Sequence, residues 1–231
     1  IRCDAGNISQ IGTGHLARCL TICKYLIKKF KFKKKNFIFL VKTNNKYKIA
    51  KEILNTENFN YISLNNKIKD YSTKEISIIK KIKPKLVIID RLNTINKKFL
   101  FSLKKESIRS VLIDDNSRIK NLSDLYFNPL IFKKGKKIFK NQGFDFSIFP
   151  SLMIKNKKNN KIIIKKKKIR LFLFFGGFDK KNLQSKIIKI LFNNINYELI
   201  ISEKYKPILK NKIKHYYNRK NFYNKMLISD I

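Results

Sequence analysis

The order of apolar and polar positions predicts strands and helices that alternate along the chain. Short continuous apolar runs at 36–41, 85–90 and 109–114 are typical of buried parallel strands. Between them, apolar residues recur at helical spacing in 46–54 and 75–82, and Pro84 closes the second of these helices. The repeated order of strand, helix and strand predicts a parallel sheet with helices on both faces, so the predicted fold class is α/β.

The helix near the start of the chain has the clearest pattern. Its apolar residues recur at steps of three and four, which predicts one stripe that faces the core. This stripe comprises Leu16, Leu20, Cys23, Ile27 and Phe30. Gly12 and Gly14 precede the helix and suit a tight turn with positive φ.

A second set of strand, glycine turn and helix begins after position 168. The apolar run 169–175 predicts a strand that leads into Gly176 and Gly177, and 197–202 predicts the next strand. The helix between them is expected to place Leu183, Ile187, Ile190 and Leu191 on one side. We therefore predict an N-terminal lobe over 1–154, a Lys/Asn-rich linker over 155–168 and an incomplete C-terminal lobe over 169–231, with a cleft between the lobes.

The large net charge says little about the binding partner of the chain. The formal net charge is +39, but only seven of the 54 basic residues are Arg, and the lysines are spread along the chain. Lys, Ile and Asn all have A/T-rich codons, so a base bias of the genome explains their excess together. Selection for phosphate binding would instead favour Arg, which forms a bidentate fork. The composition therefore predicts no specific nucleic-acid partner.

The cysteines indicate a reducing compartment. Cys3, Cys19 and Cys23 make an odd number, and no secretory segment is visible. The spacing of His15, Cys19 and Cys23 by four would allow a metal site, but buried core thiols explain it better.

No apolar run approaches the roughly 20 residues that span a bilayer. We expect a cytoplasmic protein, preferably a monomer, with no metal, no cofactor and no membrane partner. The missing initiating Met and the stop at the approach to a strand predict a fragment at both ends.

The turn before the first helix carries the candidate chemistry. His15 is expected in the first turn of that helix, where unpaired N–H groups and the positive end of the helix dipole favour a phosphate or carboxylate. Arg18 follows one turn later on the same side. Asp90, Asp114 and Asp115 fall at the carboxyl ends of predicted strands, where ligands gather in parallel sheets, although helix caps or turns explain them equally well.

The opening residues resemble a known family. The string that carries the resemblance is Arg2, Asp4, Ile11-Gly12-Thr13-Gly14-His15 and Arg18-Cys19-Leu20. It looks like the N-terminal signature of the pseudaminic acid pathway nucleotide-sugar hydrolases, which release UDP from a UDP-linked diacetamido-trideoxy sugar. The similarity continues in order through Ile88-Ile89-Asp90, Ile113-Asp114-Asp115, Asp124 to Asn128, Gly143 to Phe146, and Phe175 to Asp179 with Asn182.

The resemblance implies a fold of two Rossmann-like lobes of the glycosyltransferase B type, and a UDP-sugar as the substrate. His15 matches the catalytic histidine, a general base that takes a proton from the water that attacks the anomeric carbon. The helix N-terminus disfavours an imidazolium, and a base needs the neutral imidazole. The implied substrate-binding residues are Asp4, Gly12, Thr13, Gly14, Arg18, Asp90 and Asp115, and the implied nucleotide-binding residues are Gly176, Gly177 and Asp179.

The chain also departs from the family pattern. Arg91-Leu92 stands where the hydrolases tend to carry His-Tyr, and Phe149-Pro150-Ser151-Leu152 stands where Arg-Pro-Glu-Phe is usual. The chain stops before a later Ser- or Gly-rich motif with a Glu that holds the nucleotide. Two alternatives therefore stay open: a glycosyltransferase of the same fold, and a non-catalytic or decayed binding protein.

Overall fold

A computed structural model describes most of the chain. It covers 1–6, 11–92, 95–113, 119–129, 141–150, 169–175, 179, 181–191, 197–202, 215–217, 222–227 and 229. The predicted linker 155–168 lies outside these residues. Contacts divide the chain into two compact units, Ile1–Ile148 and Phe149–Ile231, and each is described by itself.

Unit 1 is a parallel six-stranded sheet covered by helices on both faces. In chain order its elements are β1 (Arg2–Cys3), α1 (Gly14–Phe30), β2 (Ile38–Lys42), α2 (Lys48–Thr56), β3 (Asn60–Leu64), α3 (Thr73–Ile82), β4 (Leu86–Asp90), α4 (Lys97–Lys105), β5 (Arg109–Ile113) and β6 (Leu125–Phe127). The strands lie in the order β3-β2-β1-β4-β5-β6. This is the order of Rossmann-type sheets, so the predicted α/β class is confirmed.

Two hydrophobic cores form because alternate strand residues point to opposite faces of the sheet. On β2, Phe39 and Val41 join the core under α1 and α2, whereas Leu40 joins the core under α3 and α4. All three cysteines lie fully buried in the first of these cores as free thiols, which confirms the prediction that they are core residues. Burial raises the pKa of the Cys23 thiol to about 12.

Most element boundaries in unit 1 differ from the predicted ones by a few residues. The strand predicted over 36–41 begins at Ile38, because 34–36 forms a short 3₁₀ turn. The helix predicted over 46–54 begins at Lys48 after a similar turn. The helix predicted over 75–82 begins earlier, at Thr73, because the Ser72 hydroxyl accepts the N–H of Glu75 and caps it. The apolar stripe of α1 ends early, since Phe30 is 57% exposed.

Unit 2 contains a smaller parallel sheet. Its elements are β7 (Ile169–Phe172), α5 (Leu183–Leu191), β8 (Tyr197–Ser202), β9 (His215–Tyr217) and α6 (Phe222–Leu227), with the strands in the order β7-β8-β9. The strand predicted over 197–202 is confirmed, and the strand predicted over 169–175 is shorter.

The predicted buried side of α5 is wrong at Ile190, which is 76% exposed. Gln184 and Ile188 are buried instead. The Gln184 side-chain amide donates to the Leu173 carbonyl at 3.1 Å, so the helix turns a polar residue toward the sheet.

Candidate active site

His15 lies in the first turn of α1, as predicted. The helix begins at Gly14, and the Thr13 carbonyl accepts the N–H of Ala17 at 2.9 Å. The first turn contains no acidic residue, so the helix's own sequence does not neutralise the positive end of its dipole. The carboxylate that contacts the His15 side chain comes from the sheet.

That carboxylate belongs to Asp90, the last residue of β4. Asp90 is fully buried, and its Oδ1 lies 2.7 Å from Nδ1 of His15. Arg18 binds both carboxylate oxygens, with Nη2 donating to Oδ1 at 2.6 Å and Nε donating to Oδ2 at 2.7 Å. The Cys19 thiol lies 3.8 Å from Oδ2. The bidentate hydrogen bond from Arg18 fixes the plane of the Asp90 carboxylate and therefore the direction from which that carboxylate meets the imidazole.

This geometry selects one tautomer of His15. An unprotonated Nδ1 would place its lone pair against a carboxylate oxygen at 2.7 Å, whereas a protonated Nδ1 donates a charge-assisted hydrogen bond there. Nδ1 therefore carries the proton, and Nε2 is the nitrogen that can accept one. A carboxylate on Nδ1 also stabilises the imidazolium that forms when Nε2 takes a proton.

The position of this pair follows from the topology. β1 lies between β2 and β4, and Cys3 pairs in register with Asp90. After β1 the chain turns to one face of the sheet, and after β4 it turns to the other face. A crevice therefore opens at the carboxyl ends of these two strands. Ligands in parallel α/β sheets bind at this kind of switch point.

A buried charge cluster adjoins the pair. It comprises Arg2, Asp4, Lys42, Asp70, Glu75 and Arg91, three cations and three anions. Arg2 is fully buried, and it donates to Asp4 at 2.8 Å and to Glu75 at 2.7 Å. Equal numbers of opposite charges allow these groups to be buried together.

Arg91 joins the same cluster from the end of β4. Its Nη2 lies 2.9 Å from Asp4 and 2.6 Å from Asp70, and its guanidinium stands 5.0 Å from the centre of the Tyr71 ring. Lys42 also binds Asp70, at 2.8 Å. Arg91 thus ties the end of β4 to the residue that follows β1 and to the turn before α3.

The cluster shifts the ionisation of Asp4 and Asp70. Burial alone would raise the pKa of Asp4, but the charges of Arg2 and Arg91 outweigh it and hold the pKa below its usual value. At Asp70, burial is outweighed by the hydrogen bonds from Arg91 and Lys42, and the pKa is lowered. Both groups are therefore carboxylates at neutral pH.

A small pocket opens where the pair and the cluster meet. The empty space at this point is about 290 Å³, a figure that includes open solvent. The pocket is lined by Asp4, Ile11, His15, Tyr47, Asp70, Arg91 and Leu92. The lining combines charged groups with an aromatic ring and aliphatic side chains.

The structure brings together three of the residues predicted for the site. His15, Arg18 and Asp90 form one hydrogen-bonded group, in which the Asp90 carboxylate orients the imidazole. Asp4 lines the pocket, but both of its oxygens accept from cluster residues or from the backbone N–H of Lys42. Its position supports the role of orienting a neighbour.

The glycine turn differs from its prediction. Gly14 has no positive φ, and a Cβ built on it would meet no atom within 4 Å. Neither strain nor packing therefore requires glycine at this position, and the space beside His15 is open. A tight fit occurs at Gly6 instead, where a Cβ would come within 2.7 Å of the Lys46 carbonyl oxygen.

The residues predicted for the nucleotide are described only in part. Gly176 and Gly177 lie outside the described residues, as does Asp115, which is predicted for the substrate. Asp179 accepts the N–H groups of Leu183 at 2.9 Å and of Gln184 at 2.8 Å, so its carboxylate caps the start of α5.

The sequence patterns pointed to Arg2 and Asp4 but not to the other members of the charge cluster or to Tyr47. Arg91 was noticed only as a departure from the family pattern, and Asp70 lies in a turn where an acidic residue is ordinarily exposed. One available signal was the position of Arg91 directly after Asp90 at the end of an apolar strand, where a side chain reaches the site.

The topology and the switch-point site together define a Rossmann-like unit of the kind found in the glycosyltransferase B fold. The structure is similar to that of MurG from Acinetobacter baumannii, a protein of this fold, with a TM-score of 0.54 and 10% sequence identity. The similarity covers 91% of this chain and 61% of the MurG chain, so the chain spans about three fifths of that protein. Neither a family model nor a curated protein matches the sequence. The comparison therefore shows the fold, and the activity is a proposal.

Proposed function

We propose that the chain hydrolyses a nucleotide-linked sugar, with His15 as the general base. The observation that carries the proposal is the hydrogen bond between Nδ1 of His15 and Asp90, at the rim of a pocket at the switch point of the sheet. It leaves Nε2 as the proton acceptor beside that pocket. The fold supports a nucleotide-sugar substrate, and the family resemblance supports a UDP-linked diacetamido-trideoxy sugar.

The proposed reaction is a single displacement at the anomeric carbon. Water gives one proton to Nε2 of His15 as its oxygen forms a bond to the anomeric carbon. The bond between that carbon and the diphosphate oxygen breaks, and its electron pair leaves with UDP. Asp90 stabilises the imidazolium, which later releases its proton to solvent. Gly176, Gly177 and Asp179 are proposed to serve the diphosphate.

The first experiment measures UDP release from a UDP-amino sugar without an acceptor. In H₂¹⁸O, attack at the anomeric carbon places the label in the free sugar. Label in the phosphate of UDP would contradict attack at carbon. UDP release that requires an added acceptor would favour a glycosyltransferase, and no release under either condition would favour a binding protein.

The second experiment tests the histidine. His15→Ala is expected to lower kcat by about 10²–10⁴, the usual contribution of a positioned base. His215→Ala, which replaces the other histidine of the chain, is the matched control and is expected to keep the rate. Equal rates for His15→Ala and the unmodified chain would remove His15 from the mechanism.

A further inference from the structure

Three aromatic rings are exposed where α1 ends and the chain turns toward β2. Tyr25 is 53% exposed, Phe30 57% and Phe32 48%. The rings of Tyr25 and Phe30 are 6.2 Å apart between centroids. The next aromatic residue, Phe37, is buried in the core, so this run of exposed rings ends at Phe32.

Lysines surround these rings. We define the Lys/Phe patch as Tyr25, Phe30 and Phe32 together with Lys28, Lys29, Lys31, Lys33 and Lys35. Nζ of Lys29 lies 5.6 Å from the Tyr25 ring centre and 5.9 Å from that of Phe30. Lys29 thus lies beside two exposed rings, and the other residues of the patch adjoin them along the chain.

Few acidic residues lie near the lysines of the patch. The sequence contains no Asp or Glu between Asp4 and Glu52. Within the described part of the chain, none of the five patch lysines forms an ion pair, and the nearby Glu57 binds Lys24 at 2.7 Å. The positive charge of the patch is therefore available to an external anionic partner.

We propose that the Lys/Phe patch docks the protein on an anionic lipid surface. Lysines attract the headgroups of anionic lipids, and aromatic side chains next to them enter the interface between headgroups and acyl chains. Composition alone favours no membrane partner, because the lysines are spread over the chain. Three exposed rings within eight residues, among five lysines, distinguish this segment from the face of α4, where Phe101 is exposed beside Lys97. No described helix is long and apolar enough to cross a bilayer, so the contact is peripheral.

Lipid fits the patch better than nucleic acid does. The patch contains no Arg to form bidentate contacts with phosphate. The patch also lies at the opposite end of α1 from His15. Seventeen helical residues span about 25 Å, so docking leaves the candidate active site open to solvent.

Flotation with lipid vesicles tests this proposal. The probes are vesicles of phosphatidylcholine alone and of phosphatidylcholine mixed equally with phosphatidylserine. The unmodified chain is expected to bind only the mixed vesicles. Replacing Lys28, Lys29, Lys31 and Lys33 with Gln is expected to weaken binding by roughly 600-fold, since each lysine near an anionic surface contributes roughly a fivefold factor. Phe30→Ser with Phe32→Ser is expected to weaken binding with the charge unchanged.

The matched control replaces four lysines on another exposed helix face. Lys97, Lys98, Lys104 and Lys105 of α4 lie beside exposed Phe101, and their replacement with Gln is expected to change binding much less. An equal loss in this control would show a general charge effect and overturn the proposal. So would full binding by the ring variant, or patch variants that lose binding to polyuridylic acid but keep binding to vesicles. Circular dichroism checks that each variant is folded.

Discussion

At the scale of single residues, Asp90 determines how His15 is presented. A buried carboxylate is costly unless several donors bind it, and here both oxygens are held by Arg18 while Oδ1 also accepts from His15. The same bonds that make the charge tolerable fix the imidazole ring. Structure and chemistry therefore depend on one group of contacts. A change at Asp90 affects both, so it identifies the base less clearly than a change at His15.

Gly14 offers a cleaner test of substrate contact, because the fold does not need a glycine there. Gly14→Ala is expected to change the free energy of unfolding by less than about 1 kcal/mol, and in the stabilising direction, since Ala favours a helix. If the sugar approaches the backbone beside His15, the added methyl group lowers kcat/KM by about tenfold or more. Urea titration and UDP release measure the two quantities.

Gly6→Ala is the control for this variant. Its Cβ would meet the Lys46 carbonyl oxygen at 2.7 Å, so it is expected to lower stability where Gly14→Ala does not. Full activity of the Gly14→Ala variant would mean that the substrate does not pass this position.

At the scale of elements, local patterns predicted those parts of the fold that local chemistry determines. The placement of His15 followed from the periodicity of α1, and Asp90 followed from the end of an apolar strand. The pairing of Arg91 with Asp4 joins residues 87 positions apart, and no local pattern contains such a contact. The orientation of α5 was missed for a similar reason, because Gln184 reaches a carbonyl on a neighbouring segment.

The start of α5 gives a prediction for one element. Asp179 accepts two N–H groups in the first turn, so Asp179→Ala is expected to destabilise the chain by about 1 kcal/mol, the usual cost of a lost cap. Asp179→Asn is expected to recover most of that stability, because Asn caps helices nearly as well. Thermal unfolding followed by circular dichroism compares the three chains.

The Asn variant also separates the two roles of Asp179. Equal losses of stability in the Ala and Asn variants would show that the charge, rather than capping, matters. A weaker affinity for UDP in an Asn variant of unchanged stability would support a nucleotide contact.

At the scale of the whole molecule, charge is distributed unevenly. The chain carries a formal net charge of +39, whereas the buried cluster beside the candidate site contains three cations and three anions. A large net charge destabilises the compact state through self-repulsion. The acidic members of the cluster reduce this repulsion, because each lies close to at least two cations in a place from which solvent is largely excluded.

This arrangement predicts a specific loss of stability in acid. The pKa values of Asp4 and Asp70 are lower in the folded protein than their usual values, and an Asp in an unfolded chain titrates near about 3.9. The contribution of these two carboxylates to the free energy of unfolding is therefore complete above roughly pH 5. It is lost as the pH falls toward their lowered pKa values. Asp70→Asn is expected to cost on the order of 3 kcal/mol at pH 7, because it leaves Arg91 and Lys42 without their carboxylate, and the difference from the unmodified chain should shrink toward about pH 3. Glu57→Gln, which breaks a surface pair with Lys24, should cost less than about 1 kcal/mol at either pH. Urea unfolding at both pH values measures the four differences, and a cost of Asp70→Asn that stays constant with pH would show that the cluster does not stabilise the fold through its charge.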